Sequence, residues 1–176
     1  MNRNELLKAV KDCAYIEGDF VTRAGKKTKY YVDKFQFETR PEVLEGVIEH
    51  LAQLLPPSES FTKLICPALG AVALAAPLAI AIDKPYVIIR KKEDNQPLEA
   101  AIAGVLSEGE SVVVIEDVLT TGSTVIDVCE LLEPLKLNVV SIISIIDREE
   151  GALEKLRELG YKAESLITTG DLKSVS

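Results

Sequence analysis

The chain predicts an α/β fold, a central and mostly parallel β-sheet covered by helices on both faces, and three observations carry that expectation. Short runs dominated by Val, Ile and Leu recur at 63–66, 86–90, 111–116 and 139–147 without polar alternation, which is the pattern of strands buried on both faces. Segments with helical spacing separate these runs, giving the strand-then-helix alternation from which parallel sheets are built. The 176 residues, 47% hydrophobic and 27% charged, suit one globular domain over 1–176 and lie far from the composition of disordered chains.

Each element has its own justification. Residues 5–17 carry Leu6, Leu7, Ala9, Val10, Cys13 and Ile16 at helical spacing, so a first amphipathic helix is expected there. DFVTRAGKKTKYYVD (19–33) reads as two short strands around Ala24-Gly25-Lys26-Lys27, with Tyr30, Tyr31 and Val32 favouring extended backbone. Pro41 suits the first turn of a helix that runs to about Leu55, where Pro56-Pro57 ends it. Then come a strand at 63–66, a small-residue helix at 71–82 and a strand at 86–90. A strand at 111–116, a helix from Ser123 to about Glu133 and a strand at 139–147 follow, and a helix at about 152–159 leads to a last strand at 162–167. The stretch KKEDNQPLEAA (91–101) has no periodicity and reads as a mobile loop between two central strands.

Composition excludes several function classes. With 28 acidic against 20 basic residues, the formal net charge is -8, and general binders of nucleic acid or anionic membranes need the opposite excess. A small phosphorylated ligand held in one local basic patch stays possible. The first residues lack the apolar core of a signal peptide, and the most apolar stretch, 68–82, is too short to span a bilayer. A cytoplasmic protein is expected. Cys13, Cys66 and Cys129 are far apart and lack paired ligand spacing, so they read as reduced core or near-core thiols. His50 is the only histidine, which leaves little support for Ser-His or Cys-His triads or a His-rich zinc site.

The chemistry concentrates in VVVIEDVLTTGST (112–124). Ligands of open parallel sheets bind beyond the carboxyl ends of strands, where loops enter helix N-termini. Glu116 and Asp117 are expected at such an end, followed by a turn, Thr120-Thr121-Gly122-Ser123-Thr124, whose amides and hydroxyls suit a phosphate monoester. The two acids would then hold ribose hydroxyls, or waters on a divalent cation, a short distance away. The plainer alternative is a strand and a helix capped by Asp117, with both acids exposed. Neither a Walker-type phosphate loop nor a G-x-G-x-x-G dinucleotide turn is present.

These thirteen residues resemble the phosphoribosyl pyrophosphate signature of the type I phosphoribosyltransferases. The rest of the chain is similar to the orotate phosphoribosyltransferases among them. DFVTRAGKKTKYYVD resembles their hood segment, CPALGAVALAAPLAIAIDKPYVIIRKK their pyrophosphate loop, helix and following strand, and IIDREEG their L-D-R-x-E-x-G strand end. The resemblance implies a hood at roughly 1–35 plus the C-terminal segment, a core at roughly 36–160, and a homodimer. Glu116 and Asp117 would bind the ribose hydroxyls and, through them or through water, magnesium. Asp117 would also stabilise charge developing at the anomeric carbon, and residues 120–124 would hold the 5-phosphate. Ala68, Leu69, Gly70 and Ala71 would form the pyrophosphate loop, with Arg90 and Lys91 neutralising pyrophosphate. Arg23 would approach the base and pyrophosphate from the hood, where Lys26 and Tyr31 also count among the substrate-binding residues. For Lys26, Lys27 and Lys29 a solvated hairpin is the open alternative. Arg148 would meet the orotate carboxylate, its alternative being a surface ion pair with Glu149 or Glu150.

One segment departs from the family pattern. The expected loop is R-K-x-x-K-x-[HY]-G, whose second lysine reaches into the partner subunit's site, and here Asp94, Gln96 and Pro97 stand at the lysine, His/Tyr and Gly positions. Losing such a charged contact costs about two to three powers of ten in rate. Three readings stay open. Lys92 substitutes through a shift of the loop and the chain transfers phosphoribose to orotate; the chain uses another base; or it binds phosphoribosyl pyrophosphate without turnover, as a sensor.

Overall fold

The computed structural model describes residues 1–21, 25 and 27–175. Helix α1 (Arg3–Ala14) starts at a capping box in which the Asn2 side chain accepts from the Glu5 amide and the Glu5 carboxylate accepts from the Asn2 amide. It stops three residues sooner than periodicity suggests. Tyr15 and Ile16 instead open β1 (Tyr15–Val21), pairing antiparallel with Val32 and Tyr31 of β2 (Lys27–Val32). The Tyr15 ring stacks on Tyr30 with centroids 5.3 Å apart, so a cross-strand aromatic pair outweighs local helical spacing.

The chain then makes a short helix, α2 (Phe35–Glu38), which carries too little pattern to be foreseen, and α3 (Pro41–Leu54), with Pro41 in its first turn as expected. Six strands form the main sheet: β3 (Lys63–Pro67), β4 (Tyr86–Ile89), β5 (Ile102–Ala103), β6 (Ser111–Leu119), β7 (Asn138–Asp147) and β8 (Ala163–Thr168). Their order is β5-β4-β3-β6-β7-β8, all parallel except β5, which pairs antiparallel with β4 at the edge. Five parallel strands match the sequence expectation. The two-residue edge strand has no apolar run to announce it, and residues 98–101, expected in a loop, form a 3-10 turn leading into it.

Helices α4 (Val72–Ile82), α5 (Ser123–Leu131) and α6 (Ala152–Glu158) make the crossovers, and α7 (Thr169–Ser174) closes the chain. Strand alternation divides the core. Val113, Ile115, Ile143 and Ile145 pack with Leu6, Val47, Leu51, Leu74 and Leu78. Val112, Val114 and Ile142 pack with Val125, Val128 and Leu156 on the other face. Among the described residues no helix is long and apolar enough to cross a membrane.

Two features position the site. From β3 the chain moves outward to β4 in one direction, while β6, β7 and β8 progress in the other, so the connections reverse between β3 and β6 and leave a crevice at their carboxyl ends. Strand β6 also runs past its expected end at Glu116, because the ten-residue β7 supplies partners as far as Leu119↔Asp147. Glu116 and Asp117 therefore lie within the strand and not at its tip, and both are buried.

Apart from the main sheet, the β1-β2 hairpin packs under α7. Lys173 lies over the Tyr30 ring at 4.5 Å, and Arg3 ties α1 to Asp171 at 3.1 Å. The C-terminal helix, absent from the sequence expectation, begins with a box between Thr168 and Asp171.

Candidate active site

Strand β6 presents two carboxylates in succession, each accepting the amide of the next residue: Asp117 N–H to Glu116 Oε1 at 3.0 Å, and Val118 N–H to Asp117 Oδ1 at 2.6 Å. Glu116 is only 5% exposed and its Oε2 has no hydrogen-bond partner. Burial pushes its carboxyl up to about 7, with Lys34 pulling the other way. The alternative of two exposed acids, one of them capping the helix, is thus excluded: the N-cap of α5 is Gly122, with φ 75° and no side-chain cap. The turn 120–124 exposes Thr121, Ser123 and Thr124, and Thr121 Oγ1 lies 3.3 Å from Ser123 Oγ. Glu116, Thr120, Gly122, Ser123 and Thr124 line one small cavity, with the uncapped amides of α5 at its rim.

The loop after β3 meets these acids. Ala68 N–H donates to Ile89 O at 2.8 Å, the Ala68–Leu69 peptide is cis, and Ala71 is buried at the start of α4, which also lacks a side-chain cap. A Cβ at Gly70 would collide with the Asp117 carboxylate and the Lys34 ammonium, its distance to Asp117 Cγ being 2.7 Å. Glycine there lets the loop approach the acids. Lys34, not among the residues expected from sequence, forms an ion pair with Asp117 Oδ2.

Arg148 lies at a third corner. Its guanidinium pairs with Glu150 at 3.2 Å and lies 6.0 Å from the Tyr30 ring centroid, while its Nε is buried without a hydrogen-bond partner. The ion pair expected as an alternative therefore exists, yet the residue also lines a cavity of about 260 Å³ with Lys27, Thr28, Tyr30, Thr169 and Lys173. Tyr31, named from sequence, lies on the other face of the hairpin against Phe20, with ring centroids 5.7 Å apart. Strand alternation gives the cavity to Tyr30.

Arg90 is exposed, and its guanidinium donates to Ala100 O at 2.7 Å, latching the far end of the 91–101 segment. Lys91 and Asp94 are exposed and Lys92 is half-buried. Arg23 and Lys26 lie outside the described residues. Among the described residues no group of three or more His, Cys, Asp and Glu side chains could hold a metal. Glu116 and Asp117 offer only hard oxygen donors, so they fit a magnesium ion that keeps most of its ligands as water or substrate oxygens.

The phosphoribosyl transferase domain family matches residues 35–159. The orotate phosphoribosyltransferase of Natronomonas pharaonis is 40% identical over 173 residues, covering 98% of each chain. The chain belongs to the orotate phosphoribosyltransferase family. Solved structures agree with this family membership. The orotate phosphoribosyltransferase of Aeropyrum pernix superposes with a TM-score of 0.81 at 25% identity, over 97% of this chain and 96% of that one. The UMP synthase of Leishmania donovani gives 0.86 at 29%, over 98% of this chain but 37% of that longer one.

Within this orotate phosphoribosyltransferase fold, sequence reasoning missed Lys34, Glu38, Tyr30 and Lys173. Only the pair Lys34 and Glu38 had a local signal, the i and i+4 spacing across one helical turn. Glu38 is 5% exposed, neither of its carboxylate oxygens has a hydrogen-bond partner, and burial raises its pKa, with Lys34 opposing.

Proposed function

We propose that the protein transfers the phosphoribosyl group of phosphoribosyl pyrophosphate to orotate, giving orotidine 5′-phosphate and pyrophosphate in pyrimidine synthesis. One observation carries the reading: at the reversal point of the sheet, the loop around Gly70 lies directly against the paired acids of β6. A cradle for an anionic leaving group and a grip for ribose hydroxyls are what this displacement needs on either side of the anomeric carbon. Its transition state is oxocarbenium-like, so the protein's work is positioning and charge stabilisation.

In this mechanism the hydroxyls and amides of 120–124 hold the 5-phosphate, and Glu116 and Asp117 accept from the ribose hydroxyls. The Asp117 carboxylate stabilises positive charge as the bond from the anomeric carbon to pyrophosphate breaks. The main chain of 68–71 receives the leaving group, with Arg90 and Lys91 following Ile89, whose carbonyl accepts from the Ala68 amide. Arg148 and Tyr30 face the base, whose ring nitrogen forms the new bond. Glu116 and Asp117 would hold magnesium through ribose hydroxyls or water; when bound, the ion neutralises pyrophosphate charge. The reading includes a cytoplasmic location and a homodimer, the dimer supported by the exposed apolar Leu69 in the site loop and Ile80 on α4.

The carboxylate at Asp94 favours one second reading, a protein that binds phosphoribosyl pyrophosphate as a sensor. Purified protein with magnesium and phosphoribosyl pyrophosphate, offered orotate, uracil, adenine, guanine and xanthine, separates the two. Turnover of orotate alone is expected; binding without turnover of any base would make the chain a sensor.

A further inference from the structure

The acid pair, the glycine loop and the turn leave the Lys34 ammonium without a task. We propose that Lys34 is a catalytic residue whose ammonium meets the departing pyrophosphate from within the same subunit, supplying positive charge that Asp94 cannot. The proposal rests on the reading that the site takes phosphoribosyl pyrophosphate.

Placement comes first. The Lys34 ammonium is bonded to Asp117 Oδ2 and lies so close to Gly70 that a methyl group there would strike it. It therefore occupies the seam between the ribose acids and the pyrophosphate loop. Its side chain keeps 23% of its surface exposed while Asp117 keeps 10%, so the cation is not sealed behind its partner. A lysine head on a four-carbon stem can turn from a carboxylate to an arriving phosphate oxygen with little backbone movement.

Acidic side chains surround that ammonium. Glu38 is four residues along the same helical turn, buried, with no hydrogen-bond partner for either carboxylate oxygen. Glu116 Oε2 is likewise unpartnered. Lys34 is the cation that favours ionisation of both Glu38 and Glu116. Lys34 is thus bonded to Asp117 and lies near two further buried acids.

Magnitudes favour a role in the transition state. Negative charge accumulates on pyrophosphate as the anomeric bond lengthens, so an ammonium at the loop binds the transition state more tightly than the ground state. The exposed Asp94, by contrast, adds a like charge.

The test compares wild type, Lys34→Met and Lys34→Arg by calorimetry in magnesium buffer with three probes: phosphoribosyl pyrophosphate, inorganic pyrophosphate and ribose 5-phosphate. Lys34→Met is expected to lose about tenfold or more in affinity for the two pyrophosphate-bearing probes, the usual worth of a charge-assisted contact. Affinity for ribose 5-phosphate should stay within about twofold, and Lys34→Arg should recover most of the loss. Lys34→Gln carries the same comparison if the methionine variant does not fold. In the orotate assay kcat should fall more than KM rises. Equal losses for all three probes would show that Lys34 only orients Asp117, and unchanged affinities that it is idle; either overturns the proposal. Wild type that binds all three probes but turns over no base defeats the enzymatic reading and leaves the binding comparison decisive. Wild type that binds none defeats both.

Discussion

Gly70 and Asp117 depend on each other more than their separation in sequence suggests. A methyl group at Gly70 would have to displace both the Asp117 carboxylate and the Lys34 ammonium, and overpacking of this kind costs about 1–3 kcal/mol. Gly70→Ala should therefore lower the melting temperature and weaken phosphoribosyl pyrophosphate binding together, which calorimetry and thermal denaturation would show. Asp117→Asn keeps the side chain's shape and removes its charge. Phosphoribosyl transfer should fall by about two to three powers of ten while circular dichroism stays native; full activity in that variant would place the ribose elsewhere. At this scale the sequence was informative for Glu116, Asp117 and the turn 120–124, because one strand and its turn carry them all. Lys34 was not legible, because its contact with Asp117 spans the distance from the hairpin exit to the central strand, and no local pattern reports such a meeting.

Segment 91–101 shows how an element can be half-legible. Its lack of periodicity was read as a loop, and residues 91–97 are one, but Arg90 holds the far end through Ala100 O and the chain returns as an edge strand. The segment therefore arcs between two anchored ends, with Asp94 and Asn95 at its turn. A lysine at Asp94 would bring positive charge on that arc toward pyrophosphate. Asp94→Lys should raise kcat with orotate, by more in a Lys34→Met background than in wild type, because the two cations would then serve the same leaving group. Unchanged or lower rates in both backgrounds would show that the arc never reaches the site. The long strands and crossover helices were legible because continuous Val and Ile runs have one use in a sheet covered on both faces. The misjudged ends, at Ala14 and Leu119, were decided by pairing with distant strands.

Across the whole molecule the buried acids set the response to pH. Burial raises the carboxyls of Glu38 and Asp147, and that of Glu116 to about 7. In the unfolded chain each returns to the ordinary carboxylate range. Between roughly pH 4.5 and 7 the folded state therefore binds more protons than the unfolded state, and stability falls as pH rises through that window. For Glu116 alone the shift corresponds to a few kcal/mol, at about 1.4 kcal/mol per unit. Glu110, lowered by its bond to Lys63, works the other way at lower pH, but it is near the surface and counts for little. The net charge of -8 adds repulsion of the same sense as the buried acids. Urea denaturation of the ligand-free protein at fixed salt should give a midpoint that declines from pH 5 to pH 7 and levels off above about pH 8. Glu116→Gln should flatten much of that decline and Glu38→Gln part of it, since neither amide titrates. A wild-type midpoint that rises between pH 5 and 7 would mean that these acids are ionised and paired in the folded protein, and the electrostatic account of the site would have to be rebuilt around a second cation.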